Sequence, residues 1–319
     1  MIYTNLLAEK RFESHEQWIK DNLLFEAIMG SNAYGCNTAE SDIDIVAIVM
    51  PKDEVINPQK YGYISGFETV PNFESKEVKG EGKKLVLDNG KDIEGEFVSL
   101  IRFFFLAGIK GSPNLIETLF VRDNLITFNS KIGGMLRDNR KKFLSLRTFN
   151  SMKGYTWNQI ERIRRGVLSG KTDNSKRQAM FDKTGFDCKM AGHCLRLLDN
   201  LNQLLDYGNI DLMNNKEEVK NMRNGTWGDF NKFVTITTER LEAIERKALT
   251  QNALSISPQS GSLKILLRDC IEEFYGSDSN AQKFQTEYVS AKMVYEKLDE
   301  ISSLLGKTQT FINLNSRRG

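Results

Sequence analysis

The stretch Asp42–Met50, DIDIVAIVM, does most to limit what this chain can become. It is β-branched, alternates at its start and is closed by Pro51, so it reads as a buried strand and commits the first part of the chain to a sheet. Two short strand candidates follow, KKLVL at 83–87 and DIEGEF at 92–97, joined by the turn signal Asp88-Asn89-Gly90. Residues 16–29 begin helical and turn apolar before Gly30, and residues 51–82 are irregular. From Ser99 the period changes. SLIRFFFLAGIKG predicts a helix stopped by Gly111 and Pro113, its Phe103-Phe104-Phe105 run core, and NLIETLFV a second short helix or strand. Past about residue 130 strand pattern all but vanishes, and helices are expected over 131–145, 151–169, 184–206, 216–223, 228–250, 260–275 and 281–304. The expectation is an α+β chain with a small strand-containing domain at 1–125 and an all-helical domain at 126–319, its polar last segment fraying.

Composition removes several function classes. Four cysteines without CxxC pairing or zinc spacing favour a reduced compartment, and two histidines exclude a multi-histidine metal site. Any metal must therefore be held mainly by oxygen. The N-terminal stretch lacks the apolar core of a signal peptide, and no apolar run approaches membrane-span length, so a cytoplasmic protein is expected. The net charge of +2 hides an asymmetry. Residues 1–130 carry 13 Lys and Arg against 20 Asp and Glu, whereas residues 131–200 carry 16 against 6. A solvated helix face explains many such runs, but an acidic site facing a basic wall is the functional alternative.

The informative stretch is GSNAYGCNTAESDID, residues 30–44. Gly30 and Ser31 follow an apolar element, ten residues intervene, and Asp42 and Asp44 then open the strand at alternate positions, on one face. Hard Mg²⁺ prefers carboxylates together with phosphate oxygens, and two such aspartates supply the protein's share. Gly30 has no side chain to block a phosphate, and Ser31 offers a hydroxyl and an N–H. Either half alone is weak; the composite points to metal-assisted phosphate chemistry.

These residues resemble the signature of the DNA polymerase β-type nucleotidyltransferase superfamily. LIRFFFLAGIKGSPNLIETLF (100–120) and GFDCKMAGHCLRLL (185–198) resemble two further elements of its RlaP-like phage and bacterial members. The resemblance spans about residues 25–200 and implies a small mixed-sheet catalytic domain followed by helices. It also implies two Mg²⁺ ions, for which Mn²⁺ can substitute, held by Asp42, Asp44 and a third carboxylate, with Gly30 and Ser31 on the β- and γ-phosphates of an NTP. For the third carboxylate, Asp92 ranks slightly ahead of Glu94, depending on where the family pattern is aligned. Catalysis in such a site is positioning and charge neutralisation, with no histidine or cysteine nucleophile.

Helical spacing adds further candidates. Lys189, His193 and Arg196 share one helix face, as do Tyr155, Gln159 and Arg162. The first face could hold triphosphate or acceptor, although a lone histidine among apolar residues is more often core. Tyr155 or Trp157 could stack on a base, and Arg162, Arg164 and Arg165 form the best phosphate-contacting cluster. Glu117 could orient the loop or a ribose, or simply charge a helix terminus. Cys188 and Cys194 read as buried thiols. The resulting expectation is a template-independent, Mg²⁺-dependent nucleotidyltransferase whose acceptor is an RNA end, tRNA included. Transfer to a protein hydroxyl and a non-catalytic nucleotide- or RNA-binding module are the alternatives.

Overall fold

The computed structural model describes residues 2–39, 41–64, 67, 69–78, 92–172, 177–250 and 254–276. Strands β1 (Leu23–Ile28), β2 (Ile43–Val49), β3 (Ser75–Val78), β4 (Ile93–Ser99) and β5 (Ile126–Asn129) form one mixed sheet in the order β3-β4-β2-β1-β5. The apolar strand read from the sequence is the central one, antiparallel to β1 and parallel to β4. Both of its faces are covered. Ile43, Ile45 and Ala47, with Ile93 and Phe97 of β4, pack against Leu7, Ala8 and Phe12 at helix α1 (Ile2–Arg11). Val46, Ile48 and Val98 point the other way, into the larger core shared with the helices. Close contact with α1 requires Gly95, since a Cβ there would lie 2.8 Å from Leu7 Cδ1. The first turn of α1 is tied to the sheet by the buried Glu26 carboxylate, which accepts from Thr4 N at 2.8 Å and from the hydroxyls of Thr4 and Thr127.

Ser99 ends β4 and caps helix α2 (Leu100–Phe103), its Oγ accepting from Arg102 N at 3.1 Å. A π-helical turn, Phe104–Ile109, follows. Phe103 and Phe104 are buried as expected, but Phe105 is exposed beneath Arg102 and Lys110. NLIETLFV is resolved as a helix, α3 (Pro113–Thr118), started by its proline. Further along the described residues come α4 (Lys131–Asp138), α5 (Leu146–Ser169), α6 (Gln178–Thr184), α7 (Cys188–Tyr207), α8 (Lys216–Arg223), α9 (Phe230–Thr250) and α10 (Ser260–Tyr275). The helix expected over 184–206 forms as α7 but begins at Cys188, because Gly185 ends α6 at φ +81° and Asp187 caps the new helix, accepting from Met190 N at 2.9 Å. The expected helices at 216–223 and 260–275 form over those spans. Residues 16–29 hold a short helix, Trp18–Asp21, and then β1. The strand candidate at 83–87, its turn, the helix candidate at 281–304 and the terminal segment lie outside the described residues.

The architecture is therefore a mixed α/β one with a helical C-terminal region. The last strand, β5, lies just past the expected boundary at residue 125 and pairs with β1 at the sheet edge. One hydrophobic core runs from Leu24 and Ile48 of the sheet to Ile160, Leu197 and Leu266 of α5, α7 and α10. Among the described residues no helix is long and apolar enough to cross a membrane.

A buried ion pair crosses from the sheet-linked helices to α7. Glu117 of α3 and Arg196 of α7 are both buried, with Nη1 donating to Oε1 at 2.5 Å. Asn200 Nδ2 donates to the same oxygen at 2.8 Å, and the Tyr34 hydroxyl to Oε2 at 2.9 Å. The guanidinium also lies 3.7 Å from the centre of the Tyr34 ring. A buried pair is held less by its own attraction than by the cost of losing one member. Glu117→Gln strands the Arg196 charge and should cost about 3–5 kcal/mol in urea unfolding. Replacing both charges, Glu117→Leu with Arg196→Met, should recover only the part due to the stranded charge, since Tyr34 and Asn200 still lose their acceptor; a single-variant loss of under about 1 kcal/mol would show the pair to be no anchor.

Candidate functional site

A cleft of about 730 Å³ opens between the sheet and helices α5, α7 and α8. Its sheet-side rim is acidic. Parallel pairing sets Asp44 of β2 level with Glu94 of β4, both on the sheet face turned toward the helices, with Asp42 just before β2. Burial first, then the charges of Glu94 and Asp42, push the Asp44 carboxyl above its usual range against the opposing pull of Lys189. The loop after β1 closes over this rim. Gly30 has φ +59°, and a Cβ there would fall 1.8 Å from Asp44 Oδ2, so only glycine lets the loop approach the carboxylate. The loop is held by Met29 N donating to Asp44 O at 2.7 Å and by Thr38 N donating to Ser41 Oγ at 2.8 Å.

The opposite wall is basic and helical. Lys189 stands exposed in the cleft on α7 and has no ion-pair partner among the described residues. Arg162 of α5 and Arg223 of α8 also line the cleft. So does Arg177, anchored to the α7 cap by Nη1 donating to Asp187 at 2.5 Å. The segmental charge asymmetry thus becomes two facing walls.

Most residues singled out in the sequence meet here: Gly30, Ser31, Asp42, Asp44, Glu94, Tyr155, Gln159, Arg162, Lys189, His193 and Arg196. Four readings change. Asp92, ranked first as third carboxylate, precedes β4 and does not line the cleft; the register places Glu94 beside Asp44 instead. Arg196 reaches the cleft, but its guanidinium is committed to Glu117, so it positions neighbours and is not a free phosphate contact. Glu117 is fully buried and orients Arg196 and Tyr34, with no exposure to a ribose. Trp157 points away from the cleft, with Arg164 over its ring at 5.8 Å, and lines a separate groove with Leu241. The arginine cluster therefore splits, Arg164 pairing with Glu161.

His193 belongs to the same network. Its Nδ1 lies 2.9 Å from Arg196 Nη2, and its ring meets Tyr155 edge-on at 5.6 Å. Burial, with the nearby Arg196 charge adding to it, pulls the imidazole down to about 3, so the ring is neutral at neutral pH. Burial likewise pushes the Tyr34 phenol well above its usual range, which keeps its proton for Glu117. Cys188 and Cys194 are buried thiols held above the usual range by desolvation. Tyr34, Cys36, Arg177 and Arg223 were not singled out as site residues. Cys36 and Arg223 meet through Nη1 at 2.7 Å from Sγ, a long-range contact with no local signal.

Among the described residues no three His, Cys, Asp or Glu side chains form a ready-made metal centre. The donor set nevertheless suits a hard divalent cation. Mg²⁺ needs only one or two carboxylates when substrate oxygens and water complete its shell, and the crowded charge at Asp44 is what a cation relieves. Compared with known protein families, curated proteins and solved structures, the chain matches none.

Two outcomes follow from these titrations. The folded state holds the Asp44 proton more tightly than the unfolded chain does, so stability falls as pH rises from 3.8 through the raised value. In metal-free buffer Asp44→Asn should melt higher than the parent at neutral pH, with the gain disappearing as pH falls toward 3.8; equal melting at all pH values would contradict the crowding. For His193 the sign reverses: below 6.5 the unfolded chain takes the proton first, and stability declines toward pH 3. With only two histidines in the chain, ¹⁵N NMR should show His193 with Nδ1 unprotonated and unchanged from about pH 8 down to about pH 4. A midpoint within that range would refute the network.

Proposed function

We propose that the protein is a template-independent, Mg²⁺-dependent nucleotidyltransferase with a polymerase β-type catalytic unit. It transfers a nucleoside monophosphate from an NTP to an acceptor hydroxyl at an RNA end. The observation that carries this is the cleft itself: a carboxylate rim of Asp42, Asp44 and Glu94 crowned by Gly30 and faced by exposed Lys189, in a volume suited to one nucleotide. The resemblance in the Gly-Ser and Asp-x-Asp stretch supports the same reading.

The acceptor oxygen forms a bond to the α-phosphorus while the bond to the β-phosphate oxygen breaks, so pyrophosphate leaves and the hydroxyl proton passes to a rim carboxylate. Mg²⁺, when bound by Asp42, Asp44 and Glu94, supplies charge neutralisation for attacking and leaving oxygens. Ser31 and the glycine loop accommodate the phosphates, where a side chain at residue 30 would collide with Asp44. Lys189 and the arginine wall balance the triphosphate and could extend to a nucleic-acid backbone. Glu117, Arg196 and Tyr34 keep α7 and the loop in fixed relation, which preserves the spacing in-line attack demands.

Each of the four α-labelled NTPs, incubated with the protein, Mg²⁺ or Mn²⁺, cellular RNA and cellular protein, tests this directly. Label should enter RNA and fall at least about a hundredfold in Asp42→Ala/Asp44→Ala. Label in a protein band would move the acceptor to protein. NTP binding without pyrophosphate release would make the chain a binding module, and label undiminished in the double variant would end the proposal.

A further inference from the structure

The phosphate chemistry leaves one part of the cleft unused, the wall formed by Tyr155 and Gln159 of α5 and His193 of α7. Gln159 is 6% exposed, and its amide hydrogen-bonds no described residue. The other buried polar side chains of α5 behave differently. Thr156 donates to Met152 O at 2.8 Å and Thr148 to Phe143 O at 2.9 Å. The body of the side chain is buried while its amide opens onto the cleft, where donor and acceptor are both available to a ligand.

His193 adds a second polar group of defined character. A guanidinium can only donate, so Arg196 makes Nδ1 an acceptor and leaves the ring proton on Nε2. The fixed tautomer makes His193 a hydrogen-bond donor toward a ligand and removes it as a general base. The Tyr155 ring stands against it as an apolar surface of the same wall. One fixed donor, one amide with adjacent donor and acceptor, and one aromatic ring match the needs of a nucleobase: a polar edge to be read and a flat face to be packed.

We propose that Gln159 and His193 are the specificity-determining pair that reads the edge of the substrate's nucleobase, with Tyr155 packing beside it. This assignment rests on the nucleotidyltransferase reading above. Gln159 supplies the discriminating donor and acceptor, and the buried Glu117–Arg196 pair sets the tautomer of His193 and so its contribution.

The test is calorimetric titration of the full chain, in Mg²⁺, with α,β-methylene analogues of the four NTPs and with inorganic tripolyphosphate. The parent should prefer one base over the least favoured by roughly tenfold or more, because a mismatched edge leaves a buried polar group unpaired. Gln159→Met, close in volume, should compress that spread to about threefold or less while leaving tripolyphosphate affinity unchanged. Gln159→Glu, which keeps the shape but offers only acceptors when ionised, should shift preference toward bases that donate, and covers the case in which the apolar variant does not fold. An undiminished spread in folded Gln159→Met, or equal affinity of the parent for all four analogues, would overturn the assignment and leave the nucleotidyltransferase reading standing. Binding of neither nucleotide nor tripolyphosphate would defeat that reading itself.

Discussion

The buried pair between Glu117 and Arg196 is the constraint on which the rest of the site depends. It joins α3, next to the sheet, to α7, the helix carrying Lys189 and His193. Through Tyr34 it also reaches the loop that begins at Gly30. One carboxylate thus receives hydrogen bonds from a helix guanidinium, a neighbouring asparagine and a loop tyrosine. Removing any member leaves a polar group in a dry interior, so the acidic rim and the basic wall are fixed relative to each other.

The rim itself is arranged against stability. Asp44 is partly desolvated and has two like charges nearby, and the fold tolerates this because β2 and β4 are locked in parallel register by apolar residues on both faces. A bound cation would relieve such crowding. The opposite wall shows the complementary choice: Lys189 has no ion-pair partner among the described residues and lines the same cleft as the carboxylates. His193, by contrast, is held neutral by burial and an adjacent cation, which suits recognition more than proton transfer.

Much of this was legible because it is local. The alternation of DIDIVAIVM gave the central strand, Gly111 and Pro113 punctuated the chain where they stand, and helical spacing put Lys189 and His193 on one face. What failed was whatever depends on partners distant in sequence. Asp92 and Glu94 have the same alternation, and only the pairing of Ile43 with Ile93 determines that Glu94 stands level with Asp44. Arg196 looks like any helix cation until Glu117, 79 positions away, takes its charge. Trp157 shares a helix with Tyr155 but faces another groove, since two residues along a helix turn a side chain away.

The sequence by itself determined the elements and the chemical vocabulary: a buried strand opened by two aspartates, a glycine-serine loop before it, helices after it, and an uneven distribution of charge. Local periodicity and side-chain chemistry suffice for those. Tertiary structure alone decided which carboxylates share a rim, which cation is spent on a buried pair, and which tautomer His193 holds. Those outcomes depend on strand register and on desolvation by residues far along the chain, and neither is carried by any short stretch of sequence.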